Sequence, residues 1–433
     1  MSAVINVLRS RRAALAATNG GPERPIVVLI SVLLLFESAM YSAVTPVLPH
    51  YAHAFGASKP AVGLLAAAYP AGILPGSLLG AWIAGRFGVR RTTLIGLLLF
   101  AVSIALFGFG TEIGTLDALR FIQGAGCGFI WGGGLTWVIA VAPRERRGAV
   151  LGSVFAAAIF GTLLGPILGT LAVTVGTRPV FAAVGAVSFA LAAWTLRHPE
   201  PPHEWAGTGS ATSLRAAART PKILLGSWLI LLEAATIGAT GTLLPLRLSR
   251  LGASGVMIGA TFLVASLIST RASGPIGRLV DRRGPALPLA LGLTMTAVLM
   301  ALLPVPHSAV LLAIVAAIAL GGPLTAYTIP AMAIITDTAD RVGIPLVVAT
   351  LMLNVAWALG ETIGAPVAAN LSQATSDAVP LIALSAIMLL TLVPVVRARL
   401  GAGASTEAQP AEPMPAPADT RWSEPERVPA ASR

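Results

Sequence analysis

Apolar residues in this chain gather into long unbroken runs parted by short polar breaks. The runs lie near 26–48, 60–84, 92–111, 116–142, 149–174, 179–196, 223–246, 256–277, 286–305, 308–335, 344–370 and 378–396. A helix rises about 1.5 Å per residue and needs about 20 apolar residues to cross the hydrocarbon core of a bilayer. A membrane barrel would instead show strands of roughly ten residues with alternating polarity, a pattern this sequence lacks. The runs therefore predict an all-α membrane protein of twelve transmembrane helices. Composition agrees, with 55% hydrophobic residues, 11% charged residues and a mean hydropathy of +0.82, too apolar for a chain with a water-facing surface. The first run is full length and follows a polar segment, so it is expected to stay attached rather than to be cleaved as a signal peptide.

The net charge of +11 would suit a nucleic-acid partner if the basic residues formed one patch. They alternate between loops instead. Arg9, Arg11, Arg12 and Arg24 precede the first run, Arg86, Arg90 and Arg91 follow the second, and Arg144, Arg146 and Arg147 follow the fourth. Arg197, Arg215, Arg219 and Lys222 follow the sixth, Arg278, Arg282 and Arg283 the eighth, and Arg397 and Arg399 the twelfth. Lys59, Arg178, Arg247 and Arg250 hold the opposite side. The positive-inside bias then places both termini in the cytoplasm of a multi-pass protein of the cell membrane, with the bilayer and not nucleic acid as its surroundings.

The chain repeats itself at an offset of 196 residues without a gap. Ser31 falls on Ser227, Glu37 on Glu233, Leu48 and Pro49 on Leu244 and Pro245, and Gly56, Ala57 and Ser58 on Gly252, Ala253 and Ser254. Gly63 meets Gly259, Ser77 meets Ser273, Arg86 and Gly88 meet Arg282 and Gly284, and Gly96 meets Gly292. Two six-span halves are expected at 25–196 and 223–397, after a cytoplasmic segment 1–24 and joined by a polar linker 197–222. An even number of spans separates the copies, so they share one membrane orientation about an axis along the membrane normal. The tail 398–433, rich in Pro, Ala and Glu, is expected to be disordered and cytoplasmic.

Three stretches carry more specific information. "GRLVDRRG", with Gly277, Asp281, Arg282 and Gly284, joins the eighth and ninth runs; its first-half counterpart "AWIAGRFG" keeps Arg86 and Gly88 but has Gly85 in place of the acid. "RFIQG" puts Arg120 near the start of the fourth run. "GSVFAAAIFGTLLGPILGT" spaces Gly161, Gly165 and Gly169 four apart on one helix face, with Pro166 freeing a backbone carbonyl. On these stretches the chain resembles the major facilitator superfamily, and within it the twelve-span drug:proton antiporters. The resemblance implies two pseudo-symmetric six-helix bundles that rock about a central cavity. It implies a gating loop at 277–284, here resting more on Asp281 because Gly85 departs from the pattern. It further implies an arginine at 120 that serves proton coupling and a glycine-proline stretch in the fifth span associated with export; Thr170 stands where a further glycine is usual.

Glu37 lies near the centre of the first run and its repeat mate Glu233 at the matching depth of the seventh. Acids within spans are costly and mark ion or substrate pathways, so both are candidate proton carriers. The plainer alternative is a protonated acid satisfied by a nearby hydroxyl such as Ser38 or Ser42. Arg120 either faces protein and a carboxylate or snorkels outward past Asp117. Glu361, in "NVAWALGETIGAPVAANL" with Gly360, Gly364 and Pro366, either faces the cavity or bonds to a neighbouring helix. Tyr41, Asn354, Trp357, Trp131 and Tyr327, together with Trp137, are the polar and aromatic candidates for contact with a flat or cationic substrate. The lone Cys127 excludes an intrachain disulfide, and His50, His53, His198, His203 and His307 have no metal-ligand spacing. With no phosphate-binding loop and no hydrolase elbow, an enzyme or ATP-driven pump is not expected. The expectation is a monomeric proton-coupled exporter of small lipophilic or amphipathic molecules, using the proton gradient and no cofactor. Alternatives are a proton-coupled symporter or a sugar or metabolite exporter, and more remotely a membrane sensor.

Overall fold

The computed structural model describes residues 23–143, 147–200 and 211–397. Residues 1–22, 201–210 and 398–433 lie outside the described residues, and with them Arg9, Arg11, Arg12, His203, Arg399 and the tail expected to be disordered. Arg144, Arg146 and the side chain of Arg147 lie outside them too.

The helices are α1 (Arg24–Ala43), α2 (Leu48–Ala54), α3 (Lys59–Phe87), α4 (Val89–Phe107), α5 (Ile113–Val141), α6 (Arg147–Val175) and α7 (Thr177–Leu196) in the first half. A short α8 (Ala211–Arg219) precedes α9 (Pro221–Arg250), α10 (Gly255–Arg283), α11 (Ala286–Leu302), α12 (Ala309–Arg341), α13 (Leu346–Ala374) and α14 (Ala378–Arg397). A 3-10 turn at Thr45–Val47 joins α1 to α2, where Pro46 and Pro49 remove backbone donors, and the two together make the first span. Eleven spans among the described residues are long and apolar enough to cross a membrane; the remaining apolar helix, α11, has 17 residues. At about 1.5 Å per residue α11 falls slightly short of a ~30 Å core, a mismatch that tilt and local thinning absorb. Ser188, Thr236, Thr240 and Thr296 turn their hydroxyls back onto carbonyls of the preceding turn, which lets polar side chains sit inside apolar helices.

The hydrophobic cores divide the molecule in two. One is built from α1–α7, with Ala358 of α13 the single buried contribution from the other half, and the second runs from Ala217 to Val395. The 196-residue repeat is visible in the backbone. Gly56 and Gly252 hold φ of +58° and +86°, a region costly for any other residue, and Ser58 and Ser254 two residues on cap α3 and α10 by accepting from the N–H groups of Ala61 and Met257. The repeated Gly-Ala-Ser triplet is thus one turn-and-cap device used twice.

Close helix packing repeats as well. A side chain on Gly161 would strike the Leu35 carbonyl of α1, and one on Gly165 would strike Ser42 and the Ala39 carbonyl. In the second half Gly360 stands in the same way on the Leu231 carbonyl and Gly364 on that of Ala235. Leu231 and Ala235 are Leu35 and Ala39 displaced by the 196-residue repeat, whereas Gly360 and Gly364 need an offset of 199. Between Gly292 and Gly360 the second half thus holds three more residues than the matching stretch of the first, and the helix pairs still meet in the same way. Gly169 completes the face against Ala43 and Pro46, while Pro166 sits where α10 approaches.

Candidate functional site

At one end of the molecule, that of the turns at 55–58, 251–254 and 375–377, the two bundles meet. Gly63 of α3 packs against Ala365, Pro366 and Ala369 of α13, and Gly259 of α10 against Pro166 and Thr170 of α6. Gly255 completes this contact against Val173. An ion cluster lies over it: Lys59 of the first bundle donates to Asp377 at 2.6 Å and to Ser372 at 2.8 Å, while Arg250 and Ser372 also donate to Asp377. His53 of α2 meets Ser249 of α9 at 3.3 Å beside it. Burial acts to raise the pKa of the Asp377 carboxyl, but the bonds from Lys59, Ser372 and Arg250 and the Arg250 charge outweigh it and hold the pKa below the usual carboxylate value. A lowered carboxyl contributes stability above its unfolded pKa of about 3.9 and loses it as pH falls through the folded value. Asp377→Asn is therefore expected to lower the thermal midpoint of the detergent-purified protein by about 2–4 °C at neutral pH. The difference from wild type should vanish in acid.

On the arginine-rich side of this seal lies a chamber of about 360 Å³ lined by both bundles. Glu37, Tyr41, Tyr69 and Trp131 come from the first bundle, and Glu233, Thr328, Asn354 and Trp357 from the second. The chamber is not a fully enclosed void, and Ile159, Met332 and Asn354 in its wall are exposed. Its surface is mainly apolar and aromatic with a few convergent polar groups, the usual make-up of a small-molecule site.

Glu37 is enclosed by donors of its own bundle. Its Oε1 accepts from the Tyr69 hydroxyl, and its Oε2 from the Trp131 indole at 2.8 Å and from the Ser38 hydroxyl at 3.4 Å. Arg120 does not reach for the outer surface: it is 3% exposed, lies 4.4 Å from the centre of the Tyr69 ring, and donates to Gln123 Oε1 at 3.0 Å. Glu233 shares the wall with Thr328. Glu361 is buried outside the wall and accepts from Tyr41, joining α13 of the second bundle to α1 of the first. The rings of Tyr69 and Trp357 each stand 5.4 Å from that of Tyr41.

Tyr327 requires a correction. It is fully buried in the core of the second bundle against Gly292 of α11 and does not line the chamber, and Trp137 is likewise sealed in the first core. Successive helical residues point about 100° apart, and here Thr328 takes the chamber side and turns Tyr327 inward. Asp281 and Arg282 are exposed, and Asp281 makes no hydrogen bond or ion pair among the described residues. Gly284 makes the turn of the loop 277–284 with φ of +76°, as Gly88 does in the first-half loop with φ of +94°. Arg86 lies 5.7 Å from the Phe87 ring. In the first-half loop, which has Gly85 for an acid, Glu200 from beyond α7 supplies one: it accepts from the Arg90 backbone N–H at 3.0 Å and pairs with the Arg90 guanidinium at 3.5 Å, directly against Gly88.

Sequence reasoning missed Tyr69, Phe155, Thr328 and Met332 in the wall. Tyr69, a tyrosine before Pro70 in the middle of an apolar run, was the one visible signal. In the sequence Lys59 and Arg250 mark only a side of the membrane, and nothing local joins Asp377 to them.

Two helical bundles enclosing a chamber that is closed at one end and open at the other define a multi-pass membrane transporter. The sequence pattern of the Major Facilitator Superfamily matches residues 30–364, and the chain belongs to that family. An uncharacterized MFS-type transporter, YcaD, from Escherichia coli O139:H28 is 29% identical over 271 residues, which span 61% of this chain and 69% of that protein. YcaD of Shigella flexneri matches equally. The crystal structure of a bacterial homologue of the human lysosomal transporter Spinster, in an inward-facing and occupied conformation, matches with a TM-score of 0.68 at 13% identity over 87% of this chain and 96% of that one. That likeness is one of fold.

Proposed function

We propose that the protein is a proton-coupled exporter of small lipophilic or amphipathic molecules, working by rocking of its two bundles, and that the sealed end faces out of the cell. The observation that carries this reading is the chamber itself, an apolar and aromatic space at the bundle interface whose wall holds the carboxyl groups of Glu37 and Glu233. Acids in such a wall suit recognition of a cation or polar head group, and acids kept at membrane depth at a bundle interface, Glu361 beside Tyr41 among them, suit a proton exchanged against it. The arginine-rich loops at the open end support its assignment to the cytoplasm, and the glycine-proline stretch of α6 supports export over uptake.

The test uses everted membrane vesicles containing the full chain, acidified inside, with ethidium as the cationic aromatic probe and a lumenal pH dye. Ethidium is expected to accumulate in the lumen while the lumen turns more alkaline than in vesicles without the protein. Accumulation indifferent to collapse of the pH gradient, or no accumulation of ethidium and of a panel of neutral amphiphiles, would overturn the reading.

A further inference from the structure

The three intramembrane acids are surrounded so differently that one task cannot suit them all. Glu37 has a donor on each oxygen, and every donor rides on α1, α3 or α5. An indole N–H only donates, so Oε2 is held as an acceptor, and no movement between the bundles disturbs the arrangement. Glu37 thus offers the chamber a fixed acceptor edge.

Glu361 is placed otherwise. Its one donor, Tyr41, belongs to the opposite bundle, and its Oε2 is buried with no hydrogen-bond partner among the described residues. Along α13 it stands one turn beyond the chamber residue Trp357, and Ala365 and Pro366, which seal against Gly63, follow within the next turn and a half. It therefore lies between chamber and seal, behind Tyr41. The charged and titratable groups that face it are Arg120 of α5, Glu233 of α9 and Tyr41 itself. Opening the sealed end requires α1 and α13 to part, and the Tyr41–Glu361 bond stands in the way.

We infer that Glu361 carries the coupled proton and that its bond to Tyr41 is the tie both proton and cargo must loosen, Glu37 being left to cargo recognition. This inference rests on the export reading above and deepens it. A charge-assisted bond to a carboxylate is roughly twice as strong as one between neutral groups. When a proton binds at Oε2, one O–H bond forms, the carboxylate charge is cancelled, and the tie weakens. Cargo acts from the other side, because the Tyr41 ring lines the chamber and a molecule stacking on it competes for the hydroxyl's position. An empty, deprotonated carrier keeps the tie and does not switch, which is what exchange of proton for cargo demands.

The experiment measures the distance between spin labels at Ala57 and Ser376, in the sealed-end turns of the two bundles, on the full chain with Cys127 replaced by Ala. No cargo is added, and samples at about pH 8.5 and about pH 6 are compared. Wild type is expected to show a short distance at the higher pH and a roughly tenfold larger open fraction at the lower. Glu361→Gln and Tyr41→Phe should each give the open fraction at both pH values, and Glu37→Gln should keep the wild-type shift. His53 and Asp377 are present in every variant and so cannot produce a difference between them. A wild-type shift that survives in Glu361→Gln or Tyr41→Phe, or is lost in Glu37→Gln, or is absent from wild type, overturns the inference. The vesicle experiment reports separately: proton-coupled ethidium accumulation by wild type leaves the export reading standing whichever way the labels report.

Discussion

Glu37→Gln is expected to weaken ethidium binding by roughly 10- to 100-fold, measured on purified protein from the fluorescence anisotropy of the dye. Two losses combine. The carboxyl group that faces the chamber is replaced by an amide that cannot ionise, so a cationic ligand is left with only a neutral carbonyl to accept from it in a low-dielectric wall. The amide also brings an NH₂ group to a carboxylate's place: its oxygen can stay on the Trp131 indole only if the Tyr69 hydroxyl turns to accept from the NH₂, and if the amide sits the other way round the indole N–H is left unpaired, at a cost of about 1–3 kcal/mol. Trp131 reports this second loss independently, because release of its indole N–H changes its emission before any ligand is added. Unchanged affinity in Glu37→Gln would move cation recognition to Glu233, the other acid of the wall.

The second large effect is expected at Gly161. Its missing side chain lets the Leu35 carbonyl of α1 come into direct contact with α6, so a substituent there meets backbone that no rotamer change can move aside. Gly161→Val should force the helix pair apart and cost at least about 3 kcal/mol, seen as loss of monodisperse protein on detergent extraction and gel filtration. Gly152, in the same stretch, has nothing within 4 Å of its would-be side chain, and Gly152→Ala should lie within about 0.5 kcal/mol of wild type. If the two substitutions behaved alike, the stretch would be merely small-residue composition and not a packing face.

The inter-bundle tie and the sealed-end ion cluster act at different depths of one closure. Asp377 holds Lys59 of the first bundle beside Arg250 of the second at the surface, and Tyr41 holds Glu361 beneath it. The surface cluster keeps its charges down to acidic pH, because the Asp377 pKa is lowered, so it does not respond in the range where the deeper pair is proposed to act. Glu200 adds a third device at the opposite end, where it supplies the acid that Gly85 leaves out and ties the end of the first bundle to the turn before α4.

Much of this architecture is written locally. A membrane-spanning helix satisfies its own backbone, so twelve apolar runs are enough to place the helices, and the turn-and-cap triplets at 56–58 and 252–254 mark the repeat because each needs only neighbouring residues. The glycine face of α6 was legible for the same reason, since a spacing of four on a helix is a property of one segment. What the sequence could not decide was facing. Lipid and core are equally apolar, so a span carries little contrast between its sides, and adjacent residues such as Tyr327 and Thr328 part company only when the neighbouring helices are in place. Tyr41 and Glu361, 320 residues apart, and Lys59 and Asp377, 318 apart, become partners only when the two bundles close on each other. Helix content and repeat thus follow from short-range chemistry, and the chamber, its tie and its seal from long-range packing.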